Sequence, residues 1–216
     1  MSLPLSLPRP PILVISDRRQ ARWPLDQVAA AVFAAGGRWF LLRDKDLAPA
    51  ARRRMLERLV AVARPYGATI LLGGDPALAR AAGAAGVHLP DGGDVAAARA
   101  VLGAAALIGF SAHDLAGAAA AARAGADYVI FSPIFPSASK PGYGPALGLT
   151  GLRDAAARLP VPVLALGGVT AATMAGCLDA GAAGVAVMGA VMSAEDPGAA
   201  MAALRAKAVA PAGQSL

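Results

Sequence analysis

One cysteine, Cys177, and two histidines, His88 and His113, are scarce material for a metal centre. A single thiol excludes an intramolecular disulfide and a cysteine-based zinc site, and two histidines exclude a centre built on three. Cys177 falls within a helical pattern, with no basic neighbour in sequence to activate it, and reads as packing. A lone thiol also suits a reducing compartment, so a cytoplasmic location is expected. Aromatic residues are only 5% of the chain, which argues against an aromatic-rich sandwich. Charged residues are 16% against 56% apolar, so the 216 residues can bury a substantial core. The apolar runs are short or broken by Gly, Arg and Asp, and none reads as a transmembrane helix. The opening "MSLPLSLPRPPILV" lacks a charged start followed by a long apolar stretch, so no signal peptide is expected.

What the chain does have is a rhythm of short apolar runs and longer alanine-rich amphipathic ones. Strands are predicted over 11–16, 38–43, 68–73, 86–89, 106–111, 127–132, 162–167 and 184–189. Helices follow near 25–35, 48–63, a short stretch from Asp75-Pro76, 94–102, 113–124, 149–158, 170–180 and 196–208. Asp75 can cap its helix, and Pro76 suits the first turn. The strands are continuously apolar rather than alternating, as expected when both faces are buried. Strict alternation of eight strands and eight helices implies a parallel sheet, and in just over 200 residues it fits a single (β/α)8 TIM barrel. An open doubly wound sheet is the alternative, but no G-x-G-x-x-G turn follows the first strand. The domain organisation is therefore an N-terminal extension over 1–10, the barrel over 11–208 and a tail over 209–216.

The formal charge is +6. The densest basic run, Arg52-Arg53-Arg54, lies in a helical pattern without interleaved aromatics. It reads as a solvated helix face, and no nucleic-acid partner is expected. In a barrel of this kind the chemistry belongs just after each strand. Those positions carry Arg43, Asp44 and Lys45, His88, Ser111 with His113 nearby, then Ser137, Ser139 and Lys140, and the turns Gly167-Gly168 and Gly189-Ala190. Glycine turns let backbone N–H groups approach a phosphate, and the turns after strands seven and eight are where barrels hold one. Arg43, Lys45 and Lys140 can converge over the mouth, as a multiply charged leaving group requires. His88, inside an apolar strand, reads first as a hydrogen-bonded core residue and second as a substrate contact. His113 reads as a helix-start residue, and as the acid–base candidate if the reaction moves a proton.

Taken in order, "LLRDKDL" (41–47), "GVHL" (86–89), "GFSAH" (109–113), "GADYVIFSPIFPSASK" (125–140), "PVLALGGV" (162–169) and "AGAAGVAVM" (180–188) resemble the thiamine-phosphate-synthase/TenI-like family over nearly the whole chain. The resemblance implies a transferase that joins hydroxymethylpyrimidine pyrophosphate to thiazole phosphate. Arg43, Lys45, Ser111 and Lys140 would hold the pyrophosphate. Ser137, Ser139, Gly168, Gly189 and Ala190 would face the thiazole phosphate. Its partners are then small phosphorylated molecules, with no membrane among them. Homo-oligomers are common in the family, although no interface is marked in this sequence.

Departures from the family pattern cluster on the pyrimidine side. Where the family carries Asn-Asp after the third strand, this chain has Gly73-Gly74, and where a second Mg2+-binding Asp is usual it has Gly93. Asp75 and Asp94 lie one residue later with the same separation, and stand as candidate Mg2+ ligands; Asp91 is another. Leu41 replaces a common Gln, and Gly189 a common Ser. Two further readings stay open: a TenI-like thiazole phosphate tautomerase that needs no metal and would use His113, and a non-catalytic phosphate-ligand binder.

Overall fold

The computed structural model describes residues 7–136 and 145–208. Its eight strands are β1 (Ile12–Ile15), β2 (Trp39–Leu42), β3 (Thr69–Gly73), β4 (Gly86–Leu89), β5 (Leu107–Ala112), β6 (Tyr128–Phe131), β7 (Val163–Ala165) and β8 (Gly184–Val187). All pairings are parallel, and β8 returns to β1, closing the barrel in sequence order. Around it stand α1 (Leu25–Ala34), α2 (Pro49–Ala63), α3 (Pro76–Ala81), α4 (Val95–Leu102), α5 (Leu115–Arg123), α6 (Gly148–Arg158), α7 (Met174–Asp179), α8 (Gly189–Met192) and α9 (Pro197–Ala208).

The continuous apolar strands now have a physical reason. On each strand, successive side chains point to opposite faces. One set, including Leu13, Ile15, Trp39, Leu41, Leu71 and Ile130, fills the barrel interior. The other, including Val14, Phe40, Leu42, Ile70, Val129 and Val185, packs against the helices. Both environments exclude water, so both sets are apolar and no alternation survives in the sequence.

Two helices differ from expectation. α7 begins at Met174 rather than 170, because the Thr170 N–H donates to Thr173 Oγ1 at 2.9 Å and holds a turn ahead of the helix. α8 is an additional four-residue helix directly after β8, too short to leave a periodic signal.

One row of the barrel interior bears on the site. His88 of β4, Gly109 of β5 and Tyr128 of β6 occupy the same register level. Gly109 has no side chain, so the rings of His88 and Tyr128 meet across it, nearly parallel at 27° with centroids 5.6 Å apart. A Cβ at 109 would overlap Cζ and the hydroxyl of Tyr128 and lie 2.5 Å from His88 Nδ1. Gly109→Ala should therefore destabilise the barrel by about 1–3 kcal/mol, an overpacking cost measurable by urea unfolding. Unchanged stability would mean that the row repacks freely.

Candidate active site

The barrel interior is plugged by side chains at its lower levels and opens at the carboxyl ends of the strands into a cavity of about 950 Å³. Arg43, Lys45, His88, Ser111, His113, Gly168, Gly189 and Ala190, all singled out in the sequence, line it together. They come from the ends of five different strands and the loops that follow. Ser137, Ser139 and Lys140 lie outside the described residues.

The cation pair is held by its backbone. Ser16, just past β1, accepts the Arg43 N–H at 2.8 Å and donates its hydroxyl to Asp44 Oδ2 at 2.5 Å. Asp44 Oδ1 accepts the Arg18 N–H at 2.8 Å. Ser16 and Asp44 are buried, so this clamp ties the β1 loop to the β2 loop out of water. The Asp44 carboxylate is spent on the clamp, while the residues on either side of it, Arg43 and Lys45, line the cavity. Asp46 is taken by Arg18 at 2.8 Å and Arg19 at 2.6 Å, and its hydrogen bond to Arg18 holds its carboxyl below the usual range. Arg43 and Lys45 are left with no carboxylate within ion-pair distance among the described residues. Two neighbouring cations that make no ion pair of their own among the described residues, on the wall of a cavity, favour an anion there.

Across the mouth, Gly167 and Gly168 turn with φ of +97° and +63°. A Cβ at Gly168 would lie 2.6 Å from the Pro136 carbonyl oxygen and 2.7 Å from Phe135 Cβ, so both φ and space require glycine. The loop after β6 is pinned on this turn by the Phe135 N–H, which donates to the Gly167 carbonyl at 3.0 Å. Beside it, α8 starts at Gly189, and its first-turn N–H groups precede any intrahelical acceptor.

His88 is a satisfied buried histidine and a cavity residue at once. Its Nδ1 lies 3.1 Å from the Tyr128 hydroxyl and its Nε2 2.8 Å from Ser111 Oγ. Burial, with a smaller contribution from the Lys45 ammonium, lowers its pKa to about 3 and keeps the ring neutral. His113 is not a helix cap: Asp114 caps α5 by accepting the Gly117 N–H at 2.7 Å. His113 instead turns to the cavity wall and donates Nδ1–H to the Ser132 carbonyl at 2.7 Å. Since a carbonyl only accepts, that bond requires the proton on Nδ1.

The candidate metal ligands Asp75 and Asp94 are put to another use. Each is an N-cap, Asp75 accepting the Leu78 N–H and Asp94 the Ala97 N–H, both at 2.9 Å, and neither lines the cavity. Asp91 does line it. No cluster of three or more His, Cys, Asp or Glu suited to a metal occurs among the described residues. Arg52, read as part of a solvated run, is half-buried and donates to the Gly73 carbonyl at the end of β3; Arg53 and Arg54 are exposed. Cys177 is buried, and burial pushes its thiol up to about 11, which makes it inert packing. Ser16 and Tyr128 carry no role from the sequence, and Asp44 stands there only as a rim position between Arg43 and Lys45. The parity of each residue within its strand was the signal that could have placed Tyr128 inward.

Comparison with known proteins gives the family. The sequence model of the thiamine monophosphate synthase family matches residues 12–191. The chain belongs to that family. A thiamine-phosphate synthase of Salinispora tropica is 43% identical over 196 residues, covering 88% of this chain and 93% of that one. One from Chromobacterium violaceum is 42% identical over 179 residues, covering 82% and 86%. Among solved structures, a thiamine phosphate pyrophosphorylase from Pyrococcus furiosus superposes with a TM-score of 0.83 at 28% identity, covering 91% of this chain and 94% of that chain.

Proposed function

We propose that this member of the thiamine monophosphate synthase family is a transferase that joins hydroxymethylpyrimidine pyrophosphate to thiazole phosphate in thiamine biosynthesis. The observation that carries this reading is the pair Arg43 and Lys45 on the cavity wall, neither in an ion pair with a carboxylate among the described residues, in a cavity that glycine turns also line. The bond between the pyrimidine methylene carbon and the pyrophosphate oxygen breaks, and its electron pair leaves with the pyrophosphate. The thiazole nitrogen then donates its lone pair to the methylene carbon and forms the new C–N bond. Arg43, Lys45 and Ser111 meet the charge that grows on the departing group, a task that preorganised cations perform best where water is scarce. Gly168, Gly189 and Ala190 offer their backbone to the thiazole phosphate. Lys140, Ser137 and Ser139 complete the two anion sites in this proposal.

The family's two-carboxylate Mg2+ site does not fit these residues. Gly73, Gly74 and Gly93 have no side chain to offer, and Asp75 and Asp94 are engaged with helix amides outside the cavity. Asp91 is the one carboxylate among the described residues of the wall. No helix of the described residues is long and apolar enough to cross a membrane.

A second reading rests on His113. Its ring is held from behind by the Ser132 carbonyl and stands on the cavity wall, as an acid–base group in a thiazole phosphate tautomerase requires. Turnover separates the two. With both synthase substrates present, at zero and at millimolar Mg2+, thiamine phosphate and pyrophosphate should appear together in equal amounts. No product at any Mg2+ concentration overturns the transferase. Metal-free aromatisation of the thiazole phosphate, abolished by His113→Ala, would establish the tautomerase.

A further inference from the structure

A three-residue hydrogen-bond chain runs up the inside of the barrel and ends in the cavity. It starts at Tyr128, which is fully buried, passes through His88, 6% exposed, and ends at Ser111 on the cavity wall. The links are 3.1 Å from the Tyr128 hydroxyl to His88 Nδ1, and 2.8 Å from His88 Nε2 to Ser111 Oγ.

The direction of the chain follows from counting donors. A neutral imidazole carries one N–H and one lone pair. If Nδ1 held the proton, it would donate to the Tyr128 oxygen, and the Tyr128 O–H would then need a second acceptor. Among the described residues, His88 Nδ1 is the one hydrogen-bond partner of that hydroxyl. A buried donor without an acceptor disfavours that arrangement by about tenfold or more. In the other direction every group is satisfied. Tyr128 donates to Nδ1, Nε2–H donates to Ser111 Oγ, and the Ser111 hydroxyl has its own proton left to give. Burial supports the same picture, because it keeps His88 from taking a second proton.

We infer that Tyr128 is a positioning residue: acting through His88, it fixes Ser111 as a hydrogen-bond donor into the cavity, aimed at an acceptor-only anion such as pyrophosphate. A serine can otherwise donate or accept, and it would present either face to a ligand. With Nε2–H donating to its oxygen, Ser111 does not spend its own proton on His88, and that proton is left for a ligand oxygen. Gly109 is part of the device, since any side chain there would part the two rings. The inference rests on the anion-binding reading above, so it is tested in two arms that fail separately.

The first arm uses no ligand. Nitrogen-15 NMR of the histidines should find His88 with its proton on Nε2 and none on Nδ1 at pH 7. A proton on Nδ1 overturns the relay, whatever the protein binds. The second arm titrates inorganic pyrophosphate by calorimetry into the wild type, Tyr128→Phe, Ser111→Ala and the double variant. Ser111→Ala should raise Kd about tenfold or more, as loss of a hydrogen bond to a charged group does. Tyr128→Phe, which removes one oxygen from the barrel and keeps the ring, should raise it about threefold to tenfold, yet less than about twofold when Ser111 is already alanine. Equal effects of Tyr128→Phe in both backgrounds would make Tyr128 a packing residue and overturn the relay. A wild type that ignores pyrophosphate overturns the function proposed above, and the tautomer at His88 then decides the relay by itself.

Discussion

Arg43→Ala is expected to lower turnover by about 10²–10³-fold, the usual cost of removing a preorganised group that meets developing charge. Three features of the site make the effect large. The residue is half-buried at the cavity wall, in surroundings less polar than water, where a charge acts more strongly on its neighbour. It makes no ion pair with a carboxylate among the described residues, so its guanidinium is not committed to a protein partner. Its backbone is fixed by Ser16 and Asp44 rather than by its own side chain, so truncation removes the guanidinium without loosening the loop. The loss should therefore appear in kcat with thermal stability unchanged, or slightly raised as repulsion from Lys45 is relieved. Arg43→Lys should recover only part of the rate, because a single ammonium cannot make the paired contacts of a guanidinium fork. Steady-state kinetics on both variants, beside a melting curve, checks this. Turnover within about threefold of the wild type would remove Arg43 from the reaction.

The barrel and most of the site were legible in the sequence, and the reasons are local. Continuous apolar strands of four to six residues and helices that end at glycine leave their marks within a short window. The rim positions follow from counting to the end of each strand, which marks Arg43, Ser111, Gly168 and Gly189, and all four line the cavity. What stayed hidden depends on which strand lies beside which and at what level. Nothing near Tyr128 in sequence says that it stands level with His88, forty positions away; the register through Gly109 does. Asp75 carried two meanings, a cap beside Pro76 and a displaced metal ligand. The structure realises the cap, because the amide it accepts at 2.9 Å is three residues away and always present. Arg52 was lost in a run of like charges: one arginine of the three curls back to the Gly73 carbonyl while its neighbours stay in water. The clamp of Ser16 on Asp44 was invisible for the same reason as Tyr128, since its two halves sit 28 positions apart on neighbouring strands.

The buried imidazole of His88 should also set the acid limit of the fold. In the unfolded chain its pKa is the ordinary 6.5, whereas in the barrel burial and then Lys45 lower it to about 3. Above pH 6.5 both states are neutral at this residue, and it contributes no pH dependence. Between about 6.5 and 3 the unfolded chain takes up a proton that the folded chain refuses, so stability falls as pH falls, by up to about 1.4 kcal/mol per pH unit. Below about 3 the folded state is protonated too and the loss levels off, at a total on the order of 5 kcal/mol. That is a large part of the 5–15 kcal/mol or so by which a domain is ordinarily stable. His88→Gln removes the titrating group and leaves an amide that can still donate toward Ser111. Urea unfolding of both proteins at pH 7, 5.5 and 4.5 should show their stabilities converging or crossing as pH falls, with the steeper decline in the wild type. Parallel curves would mean that the ring takes its proton in the folded state as readily as in the unfolded one. That would be hard to reconcile with the hydrogen bonds at His88, because a second proton on Nδ1 would face the Tyr128 hydroxyl and leave that O–H with no acceptor.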